Sequence, residues 1–234
     1  MKEWQDIDLN NPKAVLKQAL DLYHPRITLA SSFGLEDVVL IDMVTSIRSD
    51  ARIFSLDTGR LNEETYQCAE KIRNRYKTNI DWYFPQFDSI QKLERGKGLY
   101  SFRDSTENRK ECCGLRKVEP LNRALQDMDA WITGQRREQS VTRAELKVIE
   151  TDTSHGDITK INPLANWSSE DVWNYVREHK LSYNTLHHRG YSSIGCAPCT
   201  RAIKPDEDKR AGRWWWENPE HKECGLHTKE EDSK

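Results

Sequence analysis

The chain has 234 residues, enough for one α/β domain with an appendage. Its net charge of -2, with 32% charged residues, offers no global field for nucleic acid or a membrane surface. No stretch approaches the roughly 18 uninterrupted apolar residues of a membrane helix, and MKEWQDIDLN at the N-terminus has no apolar signal core. The expected location is the cytoplasm, where six cysteines read as ligands, nucleophiles or buried apolar groups rather than as disulfides.

In chain order, NNPKAVLKQALDLYH has Asn caps, Pro12 in the first turn and apolar residues at helical spacing. RITLA reads as a strand, and after SSFG the run LEDVVLIDMVTSI returns to helical periodicity. ARIFSLD is a second strand, LNEETYQCAEKIRNRYK a helix, and NIDWYF a third strand that stops at Pro85. KVEPLNRALQD reads as a helix with a start or kink at Pro120, and AWIT as a fourth strand leading into GQRREQS. ITKINPLANW is extended, and SSEDVWNYVREH is a Ser-capped helix with an acidic first turn. This alternation predicts an α/β fold, an open and mostly parallel sheet with flanking helices and functional loops at the carboxyl ends of its strands. From Tyr183 onward Gly, Pro, Cys and aromatic residues predominate and periodicity fades. The expected division is an α/β unit over 1–182 and a C-terminal segment over 183–234, together one structural domain.

Ser31, Ser32 and Gly34 stand between a strand and a helix start, where unpaired N–H groups and the helix dipole favour an anion. The same residues also make an ordinary Ser-capped turn, and the loop lacks the Lys and second Gly of a P-loop. SLDTGR closes the second strand with Asp57, Gly59 and Arg60; ITGQRREQSVTR closes the fourth with Arg136, Arg137 and Arg143. Together the loops at one sheet edge suit a nucleotide with several anionic oxygens, because guanidinium forks bind phosphate bidentately.

KECCGLRK and IGCAPCTR supply Cys112, Cys113, Cys196 and Cys199. Neighbouring helical side chains diverge by about 100°. Vicinal cysteines therefore suit an iron–sulfur cube, whose thiolates bind different irons, better than one tetrahedral zinc. Paired buried thiols would leave the C-x-x-C unexplained. Cys68, inside a helix and without a motif, reads as a buried apolar residue.

SSFG, LDTGR followed by ETY, CCGLRKVEPL, WITGQRREQS, GYSSIGCAPCTR, GRWWWE and the terminal KECGLH together resemble the assimilatory adenylyl-sulfate (APS) reductases, from about Ser31 to His227. The related 3'-phosphoadenylyl-sulfate (PAPS) reductases share the loops and terminal motif but typically lack both cysteine pairs. The resemblance implies an adenine nucleotide alpha hydrolase-like fold with a C-terminal cluster-binding and catalytic extension, and a homo-oligomer. It implies reduction of adenylyl sulfate to sulfite and AMP with thioredoxin, or in its place glutaredoxin, as dithiol donor. Cys224 would attack the sulfonyl sulfur and become S-sulfocysteine, with Lys117, Arg210, Arg213 and His227 as active-site residues. Substrate contacts would come from Ser31, Ser32, Phe33, Gly34, Leu56, Asp57, Thr58, Gly59, Gly134, Gln135, Arg136 and Arg137. Cys112, Cys113, Cys196 and Cys199 would hold one [4Fe-4S] cluster that supports structure and substrate electrostatics.

Independently of that resemblance, splitting a difficult sulfuryl reduction through a covalent thiol intermediate eases it. A free thiol is only about 3% thiolate at neutral pH, so cations near Cys224 matter. Competing readings are a PAPS or dual-specificity reductase, an ATP-pyrophosphatase-type enzyme, and a zinc-stabilised binding module.

Overall fold

The computed structural model describes residues 2–140 and 143–217. Six strands form one sheet: β1 (Ile27–Ala30), β2 (Arg52–Leu56), β3 (Asp81–Tyr83), β4 (Ala130–Ile132), β5 (Ile149–Asp152) and β6 (Ile158–Ile161), in the order β3-β2-β1-β4-β6-β5. All neighbours are parallel except β5 and β6, which pair as a hairpin. The chain runs outward from β1 to β3, then returns to place β4 on the other side of β1. The β1/β4 boundary is the switch point where open α/β sheets leave a crevice at their carboxyl edge.

Helices α1 (Pro12–Tyr23), α2 (Leu35–Ile47), α3 (Glu63–Tyr76) and α7 (Ser169–Glu178) pack with the main core. Asn11 caps α1 by accepting from Ala14 N at 3.2 Å, and Pro12 sits where a missing N–H costs nothing. Ser168 caps α7 reciprocally with Asp171. Helix α2 is apolar around most of its circumference because α1, α3 and α7 all contact it. Strand alternation separates the faces: Ile27, Leu29, Ala130 and Ile132 enter this core, whereas Trp131 and Phe54 join Leu121 and Leu125 on the opposite side.

Three elements were not read from the sequence: α4 (Phe87–Lys97), α5 (Thr106–Cys113) and β5. Between α5 and α6 (Glu119–Leu125) the backbone stays helical through a π-turn at Gly114–Val118. Pro120 lies in the first turn of α6, so the KVEPLNRALQD segment is the end of a longer helical run rather than a separate helix. Among the described residues no helix is long and apolar enough to cross a membrane.

Candidate active site

A cleft of about 700 Å³ opens at the carboxyl edge of β1, β2 and β4. Ser31, Ser32 and Gly34 line it from the β1 loop, Leu56 and Thr58 from β2, and Gly134, Gln135 and Arg136 from β4. Lys117 from the π-turn and Arg210 and Arg213 from the C-terminal segment close another wall. Thus most expected substrate residues share one cavity, although they lie far apart in sequence.

The serine loop differs from a simple anion cradle. Ser32 N, Ser32 Oγ and Gly34 N all donate to Asp37 Oδ2, at 2.7, 2.8 and 3.3 Å, and Phe33 N donates to Ser31 Oγ at 3.1 Å. The chain's own carboxylate therefore takes the N–H groups that the sequence offered to a ligand. Burial pushes the Asp37 carboxyl up to about 6, and the Ser32 donors oppose that rise. The close packing of this corner also fixes Gly134, where a Cβ would stand 2.5 Å from Asp37 Oδ1.

Four expected contacts turn away from the cleft. Phe33, at φ +57°, buries its ring 5.7 Å from that of Trp82. Asp57 accepts from Gly59 N at 2.8 Å and from Tyr66 Oη at 3.0 Å, so it shapes its own turn. Gly59 takes φ +69° beside Arg116. Arg137 donates to Leu146 O at 2.8 Å and to Asn166. Arg136 does line the cleft, but its guanidinium is engaged by Glu36 at 2.8 Å, Glu138 at 3.0 Å, Trp167 O at 3.1 Å and Ser169 Oγ at 3.2 Å. It braces the wall as a buried cation.

Cleft residues that the motifs did not reveal include Trp173, His187, Lys204 and Lys209. His187 donates Nδ1–H to Tyr191 O at 2.7 Å, and burial lowers its pKa, so the ring is neutral. Gln135 Oε1 is buried at the cleft without a partner among the described residues. No local pattern marks these residues, because α7, the β4 loop and the C-terminal segment meet only after folding.

Cys112, Cys113, Cys196 and Cys199 line a second, adjoining hollow, and Cys196, Lys117 and Arg213 line both cavities. Cys112 and Cys113 end α5, whereas Cys196 and Cys199 bracket a short turn of 3-10 helix. The Thr58 hydroxyl lies 3.2 Å from Cys196 Sγ. Burial raises Cys112, and burial with the neighbouring Cys196 and Cys113 pushes Cys199 up to about 12. Burial opposes ionisation of Cys196 too, but Lys117, the Thr58 hydroxyl, Arg213 and Arg116 outweigh it and bring this thiol below its ordinary value.

The donor set fits an iron–sulfur cluster. Arg116 Nε, Arg213 Nε and Trp214 Nε1 are buried N–H groups without an acceptor among the described residues, and their residues line the same hollow as the four thiols. Sulfur-rich anionic ligation would satisfy such donors. No three His, Cys, Asp or Glu side chains among the described residues converge on a single ion. Cys224 and His227 lie outside the described residues.

The phosphoadenosine phosphosulfate reductase domain family matches residues 26–202. The adenosine 5'-phosphosulfate reductase of Allochromatium vinosum is 54% identical over 204 residues, which are 87% of this chain and 79% of that protein. The enzyme of the same name from Pseudomonas aeruginosa is 46% identical, over 93% of this chain and 82% of its own. Among solved structures, phosphoadenylyl-sulfate reductase from Candida auris superposes with a TM-score of 0.70 at 29% identity, covering 82% of this chain and 90% of that one.

Proposed function

Because the chain belongs to the phosphoadenosine phosphosulfate reductase family and, within it, to the adenosine 5'-phosphosulfate reductases, we propose that it reduces adenylyl sulfate by thiol chemistry in two stages. It is an oxidoreductase acting on sulfur, and its reaction belongs to sulfate assimilation. The observation that carries the detailed reading is that a nucleotide-sized cleft and a four-thiol hollow share one wall of Lys117, Arg213 and Cys196.

In the first stage the Cys224 thiolate attacks the sulfonyl sulfur. The bond from that sulfur to the bridging phosphate oxygen breaks, AMP leaves with the electron pair, and Cys224 becomes S-sulfocysteine. In the second stage a thiolate of a dithiol protein of the thioredoxin type attacks Cys224 Sγ and sulfite departs. The partner's second thiol then resolves the mixed disulfide, so the dithiol supplies both electrons. Lys117, Arg210 and Arg213 neutralise charge on the phosphosulfate, and the Ser31–Gly34 and Gly134–Arg136 loops shape the pocket around the nucleotide.

Cys112, Cys113, Cys196 and Cys199 would hold a [4Fe-4S] cluster, which when bound supplies a fixed negative charge array beside the substrate. Lys117 and Arg213 line both cavities and would lie between the charges of cluster and substrate. The deciding experiment is Cys224→Ser: sulfite release should stop while AMP still binds, and a sulfonyl adduct should appear on Cys224 of the wild type without reductant. Continued turnover by the variant would end the assignment of the nucleophile.

A further inference from the structure

Two buried acceptor atoms at the cleft, Gln135 Oε1 and His187 Nε2, have no donor among the described residues. Gln135 is 5% exposed and its loop is held in place: Gln135 N donates to Thr133 Oγ1 at 3.3 Å, Thr133 N donates to Ile161 O at 2.9 Å, and the Thr133 hydroxyl also bonds Asn162. The His187 ring packs edge-on to Trp173 at 5.9 Å and gives Nδ1–H to Tyr191 O at 2.7 Å. Burial keeps this ring neutral although the Tyr191 carbonyl and the Glu36 carboxylate favour its protonation. Its Nε2 therefore carries a lone pair and no hydrogen. A buried acceptor left bare costs roughly 1–3 kcal/mol, so two of them at one cleft point to a ligand that donates.

Both atoms belong to the side of the cleft where α2 begins. A Cβ on Gly134 would meet Glu36 Cβ at 3.0 Å, and the Glu36 carboxylate acts on His187. Phe54, Leu121 and Trp131 line the cleft from the opposite face of the sheet and offer the apolar surface that a purine ring needs. Lys117, Arg210 and Arg213 supply cations for a phosphosulfate, which has no hydrogen to donate at neutral pH. What remains for two acceptors between these regions is a ribose with its pair of hydroxyls.

We propose that Gln135 and His187 accept from the 2'- and 3'-hydroxyls of the bound nucleotide and so select adenylyl sulfate over its 3'-phosphorylated form. The inference rests on the reading of adenylyl sulfate as the substrate. A hydroxyl gives its hydrogen to a lone pair, whereas a 3'-phosphate sets negative oxygens against it and leaves the buried acceptor unpaired. The adjacent cation does not rescue that contact, because Glu36 and Glu138 already engage the Arg136 guanidinium.

The test titrates full-length protein with AMP analogues in the absence of turnover. In the wild type, 2'-deoxy-AMP and 3'-deoxy-AMP bind about five-fold or more weakly than AMP, and adenosine 3',5'-bisphosphate about a hundred-fold more weakly. Gln135→Leu and His187→Phe each weaken AMP about five-fold, and in each the penalty for one missing hydroxyl shrinks to within about two-fold. The bisphosphate gains on AMP by about five-fold or more in both variants, and kcat/KM for the 3'-phosphorylated substrate gains on that for adenylyl sulfate in the same proportion. The preference for AMP over purine riboside 5'-monophosphate, which lacks the 6-amino group, does not change. Equal weakening of every nucleotide marks a merely structural role and overturns the proposal, as does a variant that erases the 6-amino preference. Wild-type arms stand even where a variant fails to fold: deoxynucleotides bound as tightly as AMP, or the bisphosphate bound as tightly, also overturn it. A wild type that binds no AMP refutes the substrate reading, whereas normal AMP binding with unchanged hydroxyl penalties in the variants refutes the two acceptors alone.

Discussion

Asp37 places a buried carboxylate where the strand-to-helix turn would otherwise present open N–H groups. Its pKa rises from 3.8 to about 6, so the folded state holds this proton more tightly than the unfolded chain. The resulting stabilisation is complete below about pH 4 and is lost as pH rises through about 6, a change of ~3 kcal/mol. Asp37→Asn keeps an oxygen for the Ser32 and Gly34 donors but cannot ionise. Urea unfolding at pH 4.5 and 7 should therefore show a smaller difference in stability for Asp37→Asn than for wild type. Gly195 is constrained differently, because a Cβ there would come within 2.5 Å of Arg213 Nη2. Gly195→Ala should displace that guanidinium and lower kcat/KM for adenylyl sulfate about ten-fold or more, with a modest change in thermal midpoint. An unchanged kcat/KM would show that Arg213 does not depend on this close approach.

At the scale of elements, the π-turn over Gly114–Val118 joins the cysteine-bearing end of α5 to α6 and carries Lys117 into the space between the two cavities. Pro120 has no N–H to complete the ordinary i→i−4 ladder, which favours the wider turn. Pro120→Ala should let the segment relax toward an α-helix and rotate Lys117 by up to about 100° about the axis. The expected result is a thermal midpoint equal to or above wild type together with reduced turnover; an unchanged kcat would refute the link between turn and lysine. Helices α1, α3 and α7 were legible because each buries an apolar face, and α2 because it is a long, almost continuously apolar run. Helices α4 and α5 were not: FDSIQKLERGK buries only Leu93, and TENRKECC buries Arg109 and its two cysteines. Helix α5 is held by tertiary contacts and ion pairs, including Lys97 with Glu111 at 2.6 Å, and has no apolar period to read, whereas α4 does space Phe87, Ile90 and Leu93 at helical intervals but keeps Phe87 exposed.

At the scale of the molecule, the four thiols line one hollow between the end of α5 and the 196–199 turn, which leads into the Thr200–Arg213 bridge. A cluster there would act as a cross-link between the α/β unit and its C-terminal segment. Cys113→Ser should purify without iron or acid-labile sulfide, and limited proteolysis should then cut residues 190–217 faster than in the loaded wild type. Zinc without sulfide in the wild type would refute the cluster. The cleft loops, by contrast, rest on the sheet and the main core, so AMP binding should survive this substitution better than turnover does.

The sequence by itself determined the α/β alternation, the family, and the thiols placed as neighbours and as C-x-x-C, because these depend on local periodicity and short spacing. Tertiary structure alone decided which polar groups face a ligand. Arg136 carries the positive charge and Ser32 the amide N–H that a phosphate site suggests, but Glu36 and Asp37 already engage them. It also decided that Lys117 and Arg213 stand between two cavities and that Arg109 reaches Glu217 across 108 positions. A side chain's partners are set by the folded path of distant segments, and a buried charge must find a partner there that no nearby residue foretells.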